Sequence, residues 1–183
     1  KVIETKLPGV MVIEPKVSAD LRGFFKETYQ SNRYRKAGIE LPFVQDNYSR
    51  SRHGIIRGLH LQKSRPQGKL VSCSRGAIYD VVVDVDPNSL TFGKYVGAKL
   101  TEDNHLQLWI PPGYAHGFCV LSNTADLHYK CTELYFPEDE CGLIWNDPDV
   151  DITWPIENPQ LSGKDLNLPT LQQIKDGYNA QVN

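Results

Sequence analysis

An apolar run with a period of two residues constrains the fold most strongly. In the segment 78–86 every odd position is apolar and three of the even positions are aspartate, namely Tyr79, Val81, Val83 and Val85 against Asp80, Asp84 and Asp86. Side chains alternate between the two faces of a β-strand, whereas a helix repeats every 3.6 residues. The pattern therefore predicts a strand with one buried apolar face and one polar face.

The same period recurs elsewhere between turn signals. Leu106, Leu108 and Ile110 share one face before Pro111 ends the strand, and Leu59 and Leu61 oppose Gly58, His60 and Gln62. Fourteen Gly and 12 Pro also favour many short strands and turns. Two short stretches predict helix instead, residues 31–37, ended by Gly38, and residues 170–175, ended by Gly177. No repeat or linker divides the chain, so residues 1–183 are predicted to form a single domain.

The predicted fold class is all-β. Short antiparallel strands must hide their edges, and at this size a sandwich or a jelly-roll barrel achieves this. Polar residues on the second face of several strands favour a barrel with a ligand inside, and His60, Gln62 and Asp80 are candidates for its lining. The alternative is that these side chains point to solvent from a half-exposed sheet.

Charge and cysteine usage exclude several classes of function. Twenty Lys and Arg balance 22 Asp and Glu for a net charge of −2, with no block of like charge, which argues against a nucleic-acid partner. No stretch approaches the ~20 apolar residues of a membrane span, and the first residues lack the pattern of a signal peptide. Four cysteines without a C-x-x-C spacing predict reduced thiols within strands and a cytoplasmic protein, namely Cys73, Cys119, Cys131 and Cys141.

An arginine and a histidine lie three residues apart in the segment Arg57-Gly58-Leu59-His60. A regular strand would place them on opposite faces, but a bulge at Gly58 would bring both to one mouth of the barrel. His60 would then serve as a base, and Arg57 would bind an anionic group of the ligand. On these four residues alone, a buried histidine beside a surface arginine is the simpler interpretation.

The segment 111–118, PPGYAHGF, resembles the second signature of the cupin barrels, P-x-G-x-x-H. Metal cupins carry H-x-H in their first signature, where this chain has His60-Leu61-Gln62. An amide is a poor ligand for Zn, Fe or Cu, so no metal site is predicted and an oxygenase is a distant alternative. His60 and His116 are then available for proton transfer.

Seven segments in order resemble the dTDP-4-dehydrorhamnose 3,5-epimerase family and cover nearly the whole chain. They are DLRGFFKE at 20–27, FVQDNYS at 43–49, RGLHLQ at 57–62, QGKLV at 67–71, LWIPPGYAHGF at 108–118, IWND at 144–147 and LSGKD at 161–165. The resemblance implies a double-stranded β-helix (cupin) jelly-roll barrel with a few short helices. It also implies a cofactor-free epimerase that converts dTDP-4-keto-6-deoxy-D-glucose to dTDP-4-keto-L-rhamnose for L-rhamnose synthesis.

The family match implies four catalytic residues. His60 would be the base and Asp165 the carboxylate that fixes its tautomer. Lys69 would stabilise the enolate oxygen, and Tyr129 would return a proton from the opposite face, with Tyr135 as the second candidate. The spacing of Ser162 and Asp165 also fits a helix capping box, which remains the alternative for that segment.

The match further implies a nucleotide-sugar site. Arg22, Arg57 and Lys164 would contact the diphosphate, while Glu27, Gln45 and Asn47 would hold the thymidine. Phe24 would form an apolar wall, and His116 and Tyr135 would contact the sugar. In this family the early segment enters the neighbouring subunit's site, which implies a homodimer with Arg22, Phe24 and Glu27 acting in trans.

Two alternatives remain open at the level of sequence. Related cupin epimerases invert only C3 or only C5, and 3,4-ketoisomerases move the carbonyl in the same barrel. A non-catalytic cupin that binds sugar nucleotides is the alternative from a different functional class.

Overall fold

The computed structural model describes residues 1–182, which form thirteen β-strands, two α-helices and two short 3-10 turns. The strands are β1 (Val2–Glu4), β2 (Met11–Ile13), β3 (Val17–Asp20), β4 (Gly23–Lys26), β5 (Gln45–Arg52), β6 (Ile56–Gln62), β7 (Lys69–Arg75), β8 (Ala77–Asp84), β9 (Tyr95–Thr101), β10 (Gln107–Ile110), β11 (Tyr114–Val120), β12 (Thr124–Cys131) and β13 (Glu140–Gly142). The helices are α1 (Ser31–Lys36) and α2 (Leu171–Val182), and the 3-10 turns are Pro137–Asp139 and Asp165–Asn167.

Two antiparallel sheets form the body of the protein. One has six strands in the order β1-β2-β10-β7-β12-β5, and the other has five in the order β13-β6-β11-β8-β9. Among residues 1–182, strands β3 and β4 pair only with each other and form a separate hairpin. This is the all-β jelly-roll barrel of cupin type that the sequence predicted.

The main core lies between the two sheets. Val71, Leu108 and Leu127 of the six-stranded sheet pack with Ile78 and Val120 of the five-stranded sheet, all at most 1% exposed. Burying one such side chain contributes about 1.5–3 kcal/mol. The predicted apolar face of residues 106–110 is confirmed, because Leu108 and Ile110 belong to this core and Leu106 packs against it.

The predicted alternation of β8 is present, but both faces of the strand are buried. Its odd residues pack outward in a second core that includes Val81, Val83 and, from α2, Leu171. Its even residues face the barrel interior, where Ile78 and Val82 join the main core. Asp80 and Asp84 are therefore 0% and 3% exposed, because β8 is covered on both sides.

One helix matches its prediction and the other is longer than predicted. Gln30 Oε1 accepts a hydrogen bond from the Arg33 backbone N–H at 2.7 Å and caps α1, which ends before Gly38 with its φ of +94°. Helix α2 continues through Gly177 to Val182, so the predicted stop there is wrong. A glycine inside a helix costs only about 1 kcal/mol relative to alanine, and Leu171 and Ile174 anchor α2 against the second core.

All four cysteines lie in strands with free thiols, as predicted. Cys73, Cys119 and Cys131 are buried, and Cys141 is partly exposed. Within residues 1–182, no helix has the length and apolar character needed to cross a membrane.

Candidate active site

A cavity of about 640 Å³ lies between the two sheets. Strands β5, β7 and β12 form one wall, strands β6, β11 and β13 form the other, and the segment 160–165 borders it. Ten of the predicted site residues line it: Gln45, Asn47, Arg57, His60, Lys69, His116, Tyr129, Tyr135, Lys164 and Asp165. Three do not, namely Arg22, Phe24 and Glu27.

His60 and Asp165 meet across the fold, although 105 residues separate them. His60 Nε2 lies 2.6 Å from Asp165 Oδ1, and the Asp165 side chain is only 5% exposed. The Asp165 backbone N–H also donates to Ser162 Oγ at 3.1 Å, so the local turn does carry a capping hydrogen bond. The Asp165 carboxylate, however, is directed to the imidazole.

A bulge at Gly58 brings Arg57 and His60 into the same cavity. On β11 the partners of His60 and Arg57 are His116 and Phe118, so β6 carries one extra residue between them. Gly58 has a φ of +123°, and a Cβ there would lie 2.5 Å from Gly117 Cα. The strands approach this closely only because both residues are glycine.

His116 forms a second pair with a carboxylate. Its Nε2 lies 2.8 Å from Asp80 Oδ1, and Asp80 is fully buried behind it. Asp80 therefore supports the cavity wall and is not part of its lining, and the interpretation that it faces solvent is wrong. Asp80 Oδ2 has no hydrogen-bond partner within the described part of the chain.

Gln62 occupies the place of the second imidazole of metal cupins. Its Nε2 donates to the carbonyl oxygens of Arg65 and Leu134 at 2.7 and 3.1 Å, and its Oε1 accepts from the Phe136 backbone N–H at 2.7 Å. Gln62 lines the cavity as predicted, but its amide holds the neighbouring loop in place.

Lys69 and Tyr129 lie on the wall opposite His60, on adjacent strands β7 and β12. Burial lowers the pKa of the Lys69 ammonium, because desolvation disfavours the charged form. Burial likewise raises the pKa of the Tyr129 phenol. The cavity thus holds an imidazole and a phenol on facing sheets.

A chain of hydrogen bonds joins the two amides that line the cavity on β5. The Tyr135 backbone N–H donates to Gln45 Oε1 at 2.9 Å, Gln45 Nε2 donates to Asn47 Oδ1 at 3.0 Å, and Asn47 Nδ2 contacts Cys131 Sγ at 3.5 Å. These bonds fix the orientation of both amides.

Glu140 is a site residue that the sequence analysis missed. Its Oε2 accepts hydrogen bonds from Tyr135 Oη and Lys164 Nζ, each at 2.5 Å, and its Oε1 lies 3.5 Å from His60 Nδ1. No local pattern distinguishes Glu140 from Glu138 and Asp139 just before it. Only the pairing of β13 with β6 places it beside His60.

The three predicted residues outside the cavity belong to the β3–β4 hairpin and the residues after it. Arg22 pairs with Asp20 at 2.6 Å, and Glu27 pairs with Arg33 at 3.0 Å. Phe24 is 58% exposed and packs on His105 with ring centroids 4.6 Å apart. Within one chain, the hairpin contributes nothing to the lining of this cavity.

An antiparallel barrel whose cavity holds two carboxylate-bound imidazoles, a desolvated lysine and a tyrosine defines a cupin-type acid–base enzyme. A family model described as dTDP-4-dehydrorhamnose 3,5-epimerase matches residues 4–173. The chain belongs to this family, and it is an enzyme of the epimerase class.

Individual members of this family are similar to the chain over most of its length. The chain is 49% identical over 168 residues to a dTDP-4-dehydrorhamnose 3,5-epimerase of Shigella flexneri (91% of this chain, 93% of that protein). It is 48% identical over 176 residues to one of Escherichia coli K12 (94% and 95%). A crystal structure of the Legionella pneumophila enzyme with dTDP-4-keto-L-rhamnose matches with a TM-score of 0.93 at 47% identity (97% and 95%).

Proposed function

We propose that this enzyme inverts C3 and C5 of dTDP-4-keto-6-deoxy-D-glucose and forms dTDP-4-keto-L-rhamnose for L-rhamnose synthesis, using only its own side chains. The observation that carries the proposal is the 2.6 Å pair of His60 and Asp165 at a cavity whose opposite wall holds Lys69 and Tyr129. The complex of the Legionella relative with this product supports the choice of substrate.

The substrate's C4 ketone makes both centres reactive. C3 and C5 flank the carbonyl, so loss of a proton from either gives an enolate stabilised by resonance. Inversion then requires a base on one face of the carbon and a proton donor on the other.

His60 is the proposed base. Because Asp165 binds Nε2, that nitrogen carries the proton of the neutral imidazole, and Nδ1 keeps the lone pair that accepts the proton from carbon. Asp165 also stabilises the imidazolium that forms.

Tyr129 is the proposed proton donor, in preference to Tyr135. Tyr129 lies on β12 in the six-stranded sheet and His60 on β6 in the five-stranded sheet, so a sugar between them meets the two groups on opposite faces. Tyr135 instead donates to Glu140, and this hydrogen bond raises its pKa to about 12, which makes it a poorer acid.

Lys69 is proposed to stabilise the enolate oxygen at C4. A positive donor in a site with little water stabilises developing negative charge strongly, and removing one such donor typically costs about 3–4 kcal/mol of barrier. Lys69 lies on the same cavity wall as Tyr129, and His60 lies on the opposite wall.

The nucleotide is proposed to lie along the cavity mouth and the partner subunit. Arg57 and Lys164 line the cavity and suit the diphosphate, while Gln45 and Asn47, which also line it, suit the thymidine. His116 would contact the sugar or its carbonyl, and Tyr135 would pack beside it.

We propose a homodimer in which the hairpin of one subunit completes the other's site. Arg22, Phe24 and Glu27 lie outside their own chain's cavity, and the hairpin exposes Phe24 and Phe25 by 58% and 75%. Such apolar exposure is typical of a contact surface. A cytoplasmic location is consistent with the four free thiols.

Turnover of dTDP-4-keto-6-deoxy-D-glucose in D2O, followed by NMR, tests the proposal. Deuterium is expected at both C3 and C5, and His60→Ala should abolish the exchange. Deuterium at one centre would indicate a single-centre epimerase, and a displaced carbonyl would indicate a ketoisomerase. Saturable dTDP binding without exchange at either centre would make the protein a binding cupin and overturn the proposal.

A further inference from the structure

His60 lies between two carboxylates. Asp165 Oδ1 is 2.6 Å from Nε2, and Glu140 Oε1 is 3.5 Å from Nδ1, the nitrogen assigned above as the base. When Nδ1 gains a proton from the substrate, the carboxylate nearest that proton is therefore Glu140 and not Asp165.

Glu140 connects this nitrogen to the solvent edge of the site. Its own side chain is only 9% exposed, whereas Lys164 and Tyr135, which both donate to its Oε2, are 51% and 47% exposed. Burial alone would raise the pKa of the Glu140 carboxyl, but hydrogen bonds from Lys164 and Tyr135 outweigh burial and lower it. Glu140 thus returns readily to its ionised form after any proton transfer.

Double epimerisation has a proton-balance requirement. The base removes a proton at the first carbon and is then protonated, so it must lose that proton before it can act at the second. Asp165 cannot carry the proton away, because it binds the opposite nitrogen and is itself buried.

We infer that Glu140 resets His60 between proton abstractions by accepting the proton from Nδ1 and releasing it to water at the cavity mouth. This inference rests on the proposed function. Glu140 does not touch the reacting carbon. It acts only on His60, whose proton it accepts.

The steps balance. The substrate C–H bond breaks, its electron pair enters the enolate and its proton binds Nδ1 of His60. The Nδ1–H bond then breaks, the proton moves to Glu140 Oε1, and water takes it from there. Tyr129 gives its hydroxyl proton to carbon and regains one from solvent, so each inversion exchanges one carbon-bound proton for a solvent proton.

Glu140→Gln tests the relay, because the amide keeps the size of the side chain but cannot accept the proton. We expect the first abstraction to keep its rate within a few-fold, while steady-state turnover falls by about 100-fold, the scale of a lost proton-transfer group. Rapid-quench NMR in D2O should show a burst of about one deuterium per site followed by a slow phase. Formate or imidazole, added at constant pH, should restore turnover in proportion to concentration, because a small buffer replaces the relay.

Glu138→Gln is the matched control, since Glu138 is an exposed carboxylate two residues earlier. It should show no burst and no response to buffer. Glu140→Asp gives a second route if the glutamine variant fails to fold, because it keeps the charge but withdraws the carboxylate by one methylene. It should show a smaller loss that buffer also restores.

Equal loss of first-turnover and steady-state rates, with no response to buffer, would overturn the inference and leave Glu140 with a purely structural role. Unchanged kinetics in both Glu140 variants would overturn it as well. Failure of the proposed function is distinguished by the wild-type enzyme, which would then show no exchange from the outset.

Discussion

His116 lies directly opposite His60 in the register of β11 and β6, and each imidazole binds a buried aspartate through Nε2. The two rings therefore lie side by side on one wall of the cavity, and the hydrogen bond to an aspartate fixes the orientation of each ring. The aspartates come from distant parts of the chain, Asp80 from β8 and Asp165 from the turn after residue 164. The His60–Asp165 pair and the His116–Asp80 pair each lead to a separate prediction.

Asp165→Asn should lower kcat by roughly 10³-fold, within the range for loss of general-base catalysis. An amide N–H directed at Nε2 would force the imidazole proton onto Nδ1 and remove the lone pair that acts as the base. The binding of dTDP, measured by calorimetry, should remain unchanged. A variant with near-normal kcat would show that Asp165 does not set the tautomer.

Asp80→Ala should destabilise the protein by about 1–3 kcal/mol, because it leaves the buried His116 Nε2 without its partner. The free energy of unfolding from urea titration measures this loss. Asp80→Asn, which retains an oxygen acceptor in the same place, is the matched comparison and should lose less. Equal stability of Asp80→Ala and wild type would contradict the prediction.

Protonation of Asp126 should lower the stability of the protein at acid pH. The hydrogen bond from Arg50, 2.6 Å long, lowers the pKa of Asp126 to about 2 in the folded protein, against an ordinary value of about 3.9. Because the unfolded chain takes up this proton first as pH falls, the contribution is complete above about pH 5 and is lost progressively towards pH 2. The Asp126→Asn variant should lack the part of this stability loss that is due to Asp126. The free energy of unfolding from urea titrations at pH 6, 4 and 3 measures the difference. Asp46→Asn, in the exposed ion pair with Lys130, controls for removal of a carboxylate from the neighbouring strand.

Two glycine substitutions should act in opposite directions. Gly58→Ala places a Cβ 2.5 Å from Gly117 Cα at a φ of +123°, so the bulge must open and His60 must shift, with loss of both stability and activity. Gly177→Ala meets nothing within 4 Å inside α2 and should raise stability by about 0.5–1 kcal/mol with unchanged activity. Thermal unfolding and turnover of both variants check the pair; a stable, active Gly58→Ala would contradict the tight contact.

Mixed dimers test the exchanged hairpin. Subunits carrying Arg22→Ala and His60→Ala, separately tagged and purified as the mixed pair, should have about half of the wild-type activity per dimer, because one of the two sites is complete if Arg22 acts in trans. Measurement below KM is required, since loss of Arg22 weakens binding. Activity no higher than that of the two parent homodimers would place Arg22 in its own subunit's site.

The strands could be predicted from the sequence because alternation is a local pattern, whereas the barrel type and the site residues were implied by the family resemblance. Alternation identified the faces of residues 59–62 and 106–110, and the match of ordered motifs identified His60 and Asp165. The burial of both faces of β8 could not be predicted, because its second cover, Leu171 of α2, comes from about 90 residues further along the chain. Glu140 was missed for the same reason, since only the register of β13 on β6 places it beside His60.

The position of Asp165 after the last strand has a consequence for the order of folding. Twelve of the thirteen strands are complete by Cys131, and β13 ends at Gly142, so a nascent chain can assemble both sheets and position His60 before Asp165 leaves the ribosome. Until residues 160–165 close over the cavity, the imidazole has no partner on Nε2. If Asp165 fixes the tautomer of His60 as proposed, turnover requires this late segment to be docked, and the onset of turnover during refolding would report that step.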